Sequence, residues 1–359
     1  MSPACCRIAI LGFGTVGSAV ARRLTRNDIP GLVLTHICDR RAEPKRARWP
    51  GPPDASRLVW TTRFDDLLTA DVDVIVEAVG GVDPAAEWIR AALAVGKSVV
   101  TANKQVMALH GPPLLTFAER QGRQLRFEAA VGGAMPIVRA IGDGLTGDHI
   151  TRIVAILNGT TNAVLSRMEE TGCSFETALA DARASGYAEA DPGVDLDGID
   201  AGAKLAILCG QAFRLRVTPA AIATRSSRPI TPAHIDAARR DGGVIRQLAY
   251  ADYDRARSAL TAWVAPAVVP HQSLFARTTG PKNAAVISGA FAGDIQISGA
   301  GAGGEATAVA ILSDILAIAR DRAAIVPAPV LSIPRTINGL PAALEDVCVG
   351  FDSFYAEAV

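Results

Sequence analysis

This chain of 359 residues has little cysteine, little histidine and no excess of charge of either sign, and each shortage removes a class of function. Its six cysteines (Cys5, Cys6, Cys38, Cys173, Cys209, Cys348) show neither metal-ligand nor disulfide-framework spacing. Reduced thiols in a cytoplasmic protein are therefore expected. The five histidines are equally dispersed, which removes a histidine-built metal site. Lys+Arg and Asp+Glu both total 36, so no basic surplus exists to attract a phosphate backbone, and nucleic acid is not an expected partner. No stretch reaches the roughly 18 uninterrupted apolar residues that a membrane span needs, so no membrane partner is expected either. The apolar N-terminal run is broken by glycines and followed by no signal-peptide cleavage site.

What is present is ample apolar material, 49% of residues against 20% charged, in a chain long enough for two lobes. The first third alternates strand and helix patterns: strands at Arg7–Leu11, Leu32–Cys38, Val72–Ala78 and Ser98–Thr101, helices at Val16–Arg26 and Pro84–Val95. Alternation of this kind implies a parallel sheet with helices on both faces. Runs such as IAIL and VDVIVEAV are continuously apolar, as strands covered on both faces must be. Arg41–Arg57, rich in Pro, Arg and Gly, reads as an irregular surface loop. From about Ala134 the texture changes to helical patterns over 160–185 and 198–213, with β-rich runs near 151–157, 260–269 and 284–297. That mixture predicts an α+β second domain. A Gly-rich turn and a long apolar helix over 299–320 then return, placed to pack back on the first domain. The expected division is 1–134 completed by about 301–335, then 135–300, and a C-terminal tail over 336–359.

Gly12, Gly14 and Gly17 form G-x-G-x-x-G directly after a predicted strand and at the mouth of a predicted helix. The first permits a tight turn, the second lets a pyrophosphate approach the backbone, and the third allows close helix–strand packing. The intervening Phe13, Thr15 and Val16 complete the loop, whose helix N-terminus offers N–H groups to phosphate. The spacing alone is a weak signal; its place between strand and helix makes it a dinucleotide site in a Rossmann-type, doubly wound sheet. The second strand ends in CDRR, where the adenine ribose would lie. Asp39 there favours a free 2′-hydroxyl and hence NAD, whereas Arg40 and Arg41 favour a 2′-phosphate and hence NADP. NADP is the preferred reading, because Arg40 also offsets repulsion from Asp39. Those arginines can equally be surface charges with no ligand.

Lys104 follows a strand end in VTANKQ, the place where open α/β sheets bind ligands. Asp200 and Lys204 stand four apart on a helix and share a face. That spacing usually means a surface ion pair, but the neighbours here are small or apolar, and a pair on a mostly buried helix must be compensated or functional. Glu189, Asp191, Asp195 and Asp197 crowd the loop before it without the register of a calcium loop, which better suits a substrate ammonium group. NGTTN (158–162) reads either as an N-capped turn or as a hinge or substrate contact. Its match to a glycosylation acceptor does not fit a cytoplasmic chain. Glu77 reads as a cap for the turn after its strand, and Trp88 and Met168 as core filler.

Together NGTTN, GYAEADP with D-x-D-G-x-D-x-x-x-K, PKNAAVI (281–287) and GAGAG (299–303) resemble homoserine dehydrogenase, in order, from about Arg7 to Arg320. The resemblance implies NAD(P)H-dependent interconversion of L-aspartate 4-semialdehyde and L-homoserine, in the biosynthesis of threonine, methionine and isoleucine. It implies Lys204 as acid/base, with Asp200 and Glu189 holding the substrate amino group and orienting Lys204. Asp195, Gly186 and Tyr187 join the substrate site, and Lys104 sits at the nicotinamide–substrate junction. Thr101, Asn103 and Gly303 join the cofactor site. A structural Na⁺ on Glu128 and the main-chain oxygens of Val131, Gly133 and Met135 is implied as well; hard oxygen ligands suit such a cation. A homodimer built through the second, substrate-binding and dimerisation domain is the implied assembly. One departure is that Ala306 precedes Thr307 where the family pattern runs towards Pro-Thr. Neither a fused aspartate kinase nor a regulatory domain is expected. The rival readings are a related dehydrogenase for another amino-aldehyde and a non-catalytic NAD(P)-sensing module. A sensor, however, has no use for Lys104, Glu189, Asp200 and Lys204 together. Aspartate-semialdehyde dehydrogenase fits less well, since no cysteine stands in a nucleophile motif.

Overall fold

Short apolar strands feeding amphipathic helices build the first part of the computed structural model, which describes residues 5–26, 29–49, 51, 58–320, 331–339 and 349–350. In chain order these are β1 (Cys6–Leu11), α1 (Thr15–Thr25), β2 (Leu32–Cys38), α2 (Ala42–Arg48), β3 (Val59–Thr61), α3 (Phe64–Thr69), β4 (Val74–Glu77), α4 (Ala85–Ala94), β5 (Ser98–Thr101), α5 (Lys104–Arg120) and β6 (Leu125–Arg126). The six strands form one parallel sheet in the order β3-β2-β1-β4-β5-β6. The order reverses beside β1, so the loops after β1 and β4 diverge and open a crevice at their carboxyl ends. β4 and β5 are buried at every position, as sheet strands covered on both sides require.

One element here differs from the sequence expectation, and a second lay outside it. Ala42–Arg48 is a helix rather than a loop; its Pro44 falls in the first turn, where a missing N–H costs nothing. Residues 50 and 52–57 of that stretch lie outside the described residues. Helix α5 runs straight through Gly111-Pro112-Pro113, a run that reads as a breaker. Burial of Val106, Met107, Leu114 and Ala118 along one face carries it across the lost backbone hydrogen bonds.

The second part comprises α6 (Ile137–Arg139), β7 (Ile150–Ile156), α7 (Gly159–Thr171), α8 (Phe175–Ala184), α9 (Gly193–Leu196), α10 (Ile199–Phe213), β8 (Ala223–Thr224), α11 (Pro232–Arg240), β9 (Gly243–Asp254), β10 (Ala259–Pro270), α12 (Leu274–Arg277), β11 (Lys282–Gly289) and β12 (Gly293–Ala300). After α13 (Gly304–Arg320) come β13 (Thr336–Asn338) and β14 (Val349–Gly350). The strands form a mixed sheet in the order β12-β11-β7-β9-β10-β13, with β8 and β14 also pairing β10. The helical pattern over 160–185 is two helices, separated at Gly172, which takes the left-handed conformation after α7.

The central strand β9 has no alternating pattern because both its faces are covered, and it contains Arg246 and Gln247. Arg246 is wholly buried. Its guanidinium lies 2.7 Å from Glu169 and donates to the carbonyls of Ile245, Phe275 and Ala276. A cation is tolerable there only with that full set of acceptors.

The chain divides into two compact units, Met1–Ala134 with Gly303–Val330 and Met135–Ala302 with Leu331–Val359. In the first unit, α13 lays Ala308, Ile311, Leu312 and Ile315 into the core built on Ile8, Ile10, Ala19 and Val20. Residues 331–335, expected to complete the first domain, group with the second unit instead, and within the expected tail 336–338 and 349–350 pair along β10 as β13 and β14. Its remainder, with Cys348, lies outside the described residues. Among the described residues, no helix is long and apolar enough to cross a membrane.

Candidate active site

In the first unit the glycine loop lies between β1 and α1. Gly12 has φ +96°, and a side chain there would meet the Ala78 carbonyl oxygen at 2.7 Å. A Cβ on Gly17 would stand 2.0 Å from the Gly12 carbonyl oxygen, so α1 can approach the loop only as glycine. At Gly14, by contrast, a Cβ would meet nothing within 4 Å: what glycine leaves there is open space on the groove side. Among the described residues no side chain caps α1, and no acidic residue stands in its first turn. Its first N–H groups are therefore open to an anion, as a pyrophosphate requires. A groove of about 420 Å³ runs from Gly12 and Gly14 past Asp39, Arg40, Arg41 and Lys45 to Thr62, Phe64 and Trp88. Loop, helix terminus and groove fit a dinucleotide.

Asp39 is committed. Its carboxylate accepts from the N–H of Phe13 (2.8 Å), the N–H of Arg41 (2.8 Å) and the ammonium of Lys45 (2.5 Å). Burial alone would raise its pKa, but Lys45 and then the Arg41 and Phe13 N–H groups outweigh that and hold it below the ordinary carboxylate range. A depressed carboxylate of this kind stabilises the fold above its ordinary pKa of about 3.9 and ceases to do so as pH falls through the lower folded value. Phe13 does not line the groove: its N–H is spent on Asp39 and its ring packs edge-on against Trp49 and Trp60. Thr15 is exposed at the start of α1, and Val16 is half-buried behind it. Cys38 also lines the groove. Burial, then the charge of Asp39, pushes its thiol up to about 11, so it stays protonated and is no nucleophile.

At the ends of β4 and β5 a second network sets the lip of the crevice. Glu77 accepts from the N–H of Val79 (2.8 Å) and from the Thr101 hydroxyl (2.5 Å), and that hydroxyl accepts from the N–H of Asn103 (2.9 Å). Asn103 caps α5 through the Val106 N–H and donates to the Gly81 carbonyl at 2.6 Å. Thr101 and Asn103 are buried and thus support the lip from behind. Lys104 opens α5 immediately after this cap, half-buried. Gly303 is exposed with φ +115°, and the start of α13 next to it meets the α1 N-terminus: a Cβ on Gly304 would stand 2.9 Å from the Thr15 carbonyl oxygen. Arg22 and Glu305 pair at 2.8 Å across these two helices.

Glu128 is buried in a helical turn over Glu128–Ala130, its N–H donating to Asp314 at 2.9 Å. Val131 follows that turn, and Gly132 and Gly133 have φ +82° and +61°. Met135 belongs to the second unit, where its carbonyl accepts the Ile137 N–H at 2.8 Å.

In the second unit α10 presents Asp200 and Lys204 on one face. The Lys204 ammonium donates to Asp200 Oδ2 (2.7 Å) and to the Leu157 carbonyl at the end of β7 (2.7 Å). Their side chains are 12% and 2% exposed, so this is a buried pair, unlike the usual i,i+4 surface contact. The four loop acids separate by role. Asp195 Oδ1 accepts from the Asn158 amide (2.7 Å), which also donates to Asp200 Oδ2 (2.9 Å). Asp191 caps the turn at Gly193, and Asp197 pairs with Ser226 (2.6 Å) and Arg228 (3.0 Å). Glu189, Gly186 and Tyr187 are exposed on the preceding loop, which is held by the Thr160 hydroxyl on the Tyr187 carbonyl (2.7 Å). The structure thus brings Asp195, Asp200 and Lys204 into one network and leaves Glu189 outside it. Sequence reasoning missed Lys45 because its helix reads as a loop. It missed Asn158 as a bridge because the capping signal of NGTTN says nothing of partners 37 and 42 residues away.

A groove fitted to a dinucleotide on an open parallel sheet defines a dinucleotide-binding α/β protein, and the second unit adds a buried lysine–carboxylate pair. The comparisons narrow this. Residues 12–128 match the family model for the homoserine dehydrogenase NAD binding domain, and residues 136–316 match the homoserine dehydrogenase model itself. The chain is 40% identical to the homoserine dehydrogenase of Mycobacterium tuberculosis over 326 residues, 88% of this chain and 72% of that one. For the Corynebacterium glutamicum enzyme the identity is 39% with the same coverage. A homoserine dehydrogenase structure from Thiobacillus denitrificans superposes with a TM-score of 0.86 at 32% identity, covering 93% of this chain and 79% of that one. A hyperthermophilic archaeal homoserine dehydrogenase in complex with NADPH gives 0.73 at 27%, covering 88% and 98%. The chain belongs to the homoserine dehydrogenase family.

Proposed function

We propose that the chain interconverts L-homoserine and L-aspartate 4-semialdehyde with Lys204 as the acid/base and NADP as the preferred cofactor. The observation that carries this is the Lys204 ammonium, fixed by Asp200 and the Leu157 carbonyl. A lysine ammonium has three donors, and these contacts use two. The third N–H serves the substrate oxygen, giving up its proton as the alcohol forms and regaining it in the reverse direction. Bound nicotinamide supplies the hydride chemistry; the chain binds, orients and handles the proton. Asp195, Asp200 and Lys204 together carry one net negative charge, which suits a substrate ammonium group. Glu189, with Gly186 and Tyr187 on its exposed loop, adds to that attraction, and Lys104 serves the nicotinamide end of the substrate. The test is homoserine oxidation followed by nicotinamide absorbance with NAD⁺ and NADP⁺ in parallel. If neither supports turnover although one binds, the substrate reading falls and other amino-aldehydes take its place.

Preference for NADP rests on Lys45, which neutralises the carboxylate that would repel a 2′-phosphate, and on the exposed Arg40 and Arg41 beside it. Arg40→Ala is expected to lower the NADP-to-NAD ratio of kcat/KM by about 10–100-fold, the worth of one charge-assisted contact. An unchanged ratio would remove Arg40 from the site.

Glu128 with the carbonyls of Val131 and Gly133 is the proposed core of a Na⁺ site, hard oxygens in a tight turn. In NaCl the Tm of the wild type should exceed that in choline chloride at equal ionic strength, and Glu128→Gln should abolish the difference. Equal wild-type melting in both salts would remove the site. The assembly is read as a cytoplasmic homodimer. The five described cysteines are free thiols, and β12 is a sheet edge with a half-exposed face.

A further inference from the structure

Asn158 lies at the junction of β7 and α7, almost wholly buried. Its Oδ1 accepts from the Thr161 N–H at 2.9 Å, which caps α7. That bond fixes which end of the amide faces which way, because only the oxygen can accept an N–H. The NH₂ group must then point to the other side, where it donates to Asp195 Oδ1 at 2.7 Å and to Asp200 Oδ2 at 2.9 Å. Both donors and the acceptor are used. One neutral group thus holds two carboxylates in place, and the oxygen of Asp200 it grips is the one that grips Lys204. The Leu157 carbonyl, the other acceptor of Lys204, belongs to the adjacent residue.

We propose that Asn158 is a positioning residue for proton transfer. Its amide fixes the Asp200 oxygen that orients Lys204 and holds Asp195 ready for the substrate ammonium group. This rests on the reading of Lys204 as acid/base. The N-cap and the bridge are separate jobs of one side chain, and substitution separates them. Asn158→Ser keeps a capping oxygen for the Thr161 N–H, since serine and asparagine cap about equally well, but it is too short to grip both carboxylates. Asn158→Asp keeps the cap and the shape and replaces the donor by a third carboxylate oxygen.

The experiment measures homoserine oxidation by wild type, Asn158→Ser, Asn158→Asp and Lys204→Ala, together with Tm and NADPH Kd. Homoserine deuterated at the carbon being oxidised supplies an isotope effect on kcat. For Asn158→Ser the expected result is kcat lower by about 10–100-fold, the cost of a misplaced catalytic group. Its KM for homoserine should rise and its isotope effect should exceed the wild-type value, with Tm and NADPH Kd close to wild type. Asn158→Asp should lose more kcat than Asn158→Ser. A purely capping role predicts wild-type kcat and isotope effect in both variants, and that result overturns the proposal. A Lys204→Ala enzyme that still turns over would instead overturn the acid/base reading on which it rests.

Discussion

Lys204→Ala is expected to lower kcat for homoserine oxidation by about 10²–10⁴-fold, the range for removal of a positioned acid/base. NADPH binding should be nearly unchanged, because the groove that takes the dinucleotide lies in the other unit. The substitution also strands Asp200, whose side chain is 2% exposed, without its cation. Removing one partner of a buried pair costs about 3–5 kcal/mol, so Tm must be measured beside the rate. Lys204→Arg separates the effects: it restores a charge for Asp200 but holds its proton too tightly to release it, so stability should return while turnover does not. The measurement is steady-state oxidation with titration of NADPH fluorescence. Weakened NADPH affinity with normal turnover at saturating cofactor would refute the role.

Gly17→Val should be the most damaging single change in the cofactor unit. A Cβ at this position would stand 2.0 Å from the Gly12 carbonyl oxygen and 3.2 Å from the Ile10 side chain. The first of these is backbone and cannot rotate away, so α1 must move off the loop. Overpacking of this kind costs about 1–3 kcal/mol. The displaced helix also carries the N–H groups proposed to take the pyrophosphate, so NADPH affinity should fall below detection by calorimetry while circular dichroism still reports a folded chain. A variant that binds NADPH normally would show that loop and helix can separate without loss of the site.

How much of this was legible in the sequence varies by residue. Gly12, Gly14 and Gly17 announce the cofactor loop because their spacing sits between a strand and a helix, and both elements are where the pattern puts them. Asp200 and Lys204 were visible as an i,i+4 pair, and their apolar neighbours marked the pair as buried. Helix α5 was not legible, since Gly-Pro-Pro breaks local propensity and only tertiary burial carries the helix through. Strand β9 was hidden by Arg246 and Gln247, whose partners lie far off in the chain. CDRR alone set Asp39 only against Arg40 and Arg41, because Lys45, its actual cationic partner, sits on a helix that composition disguises as a loop.

The sequence by itself pointed to two units, a glycine loop between strand and helix and the chemistry on offer, for these depend on periodicity, glycine spacing and residue type, all local along the chain. Only the tertiary structure decided how the carboxylates divide their work. Asp39 is bound to Lys45, Asp197 to Arg228, and Asp195 and Asp200 to one amide at Asn158. A carboxylate's role is set by which donors reach it within about 3 Å, and folding brings those donors from positions the sequence order does not reveal.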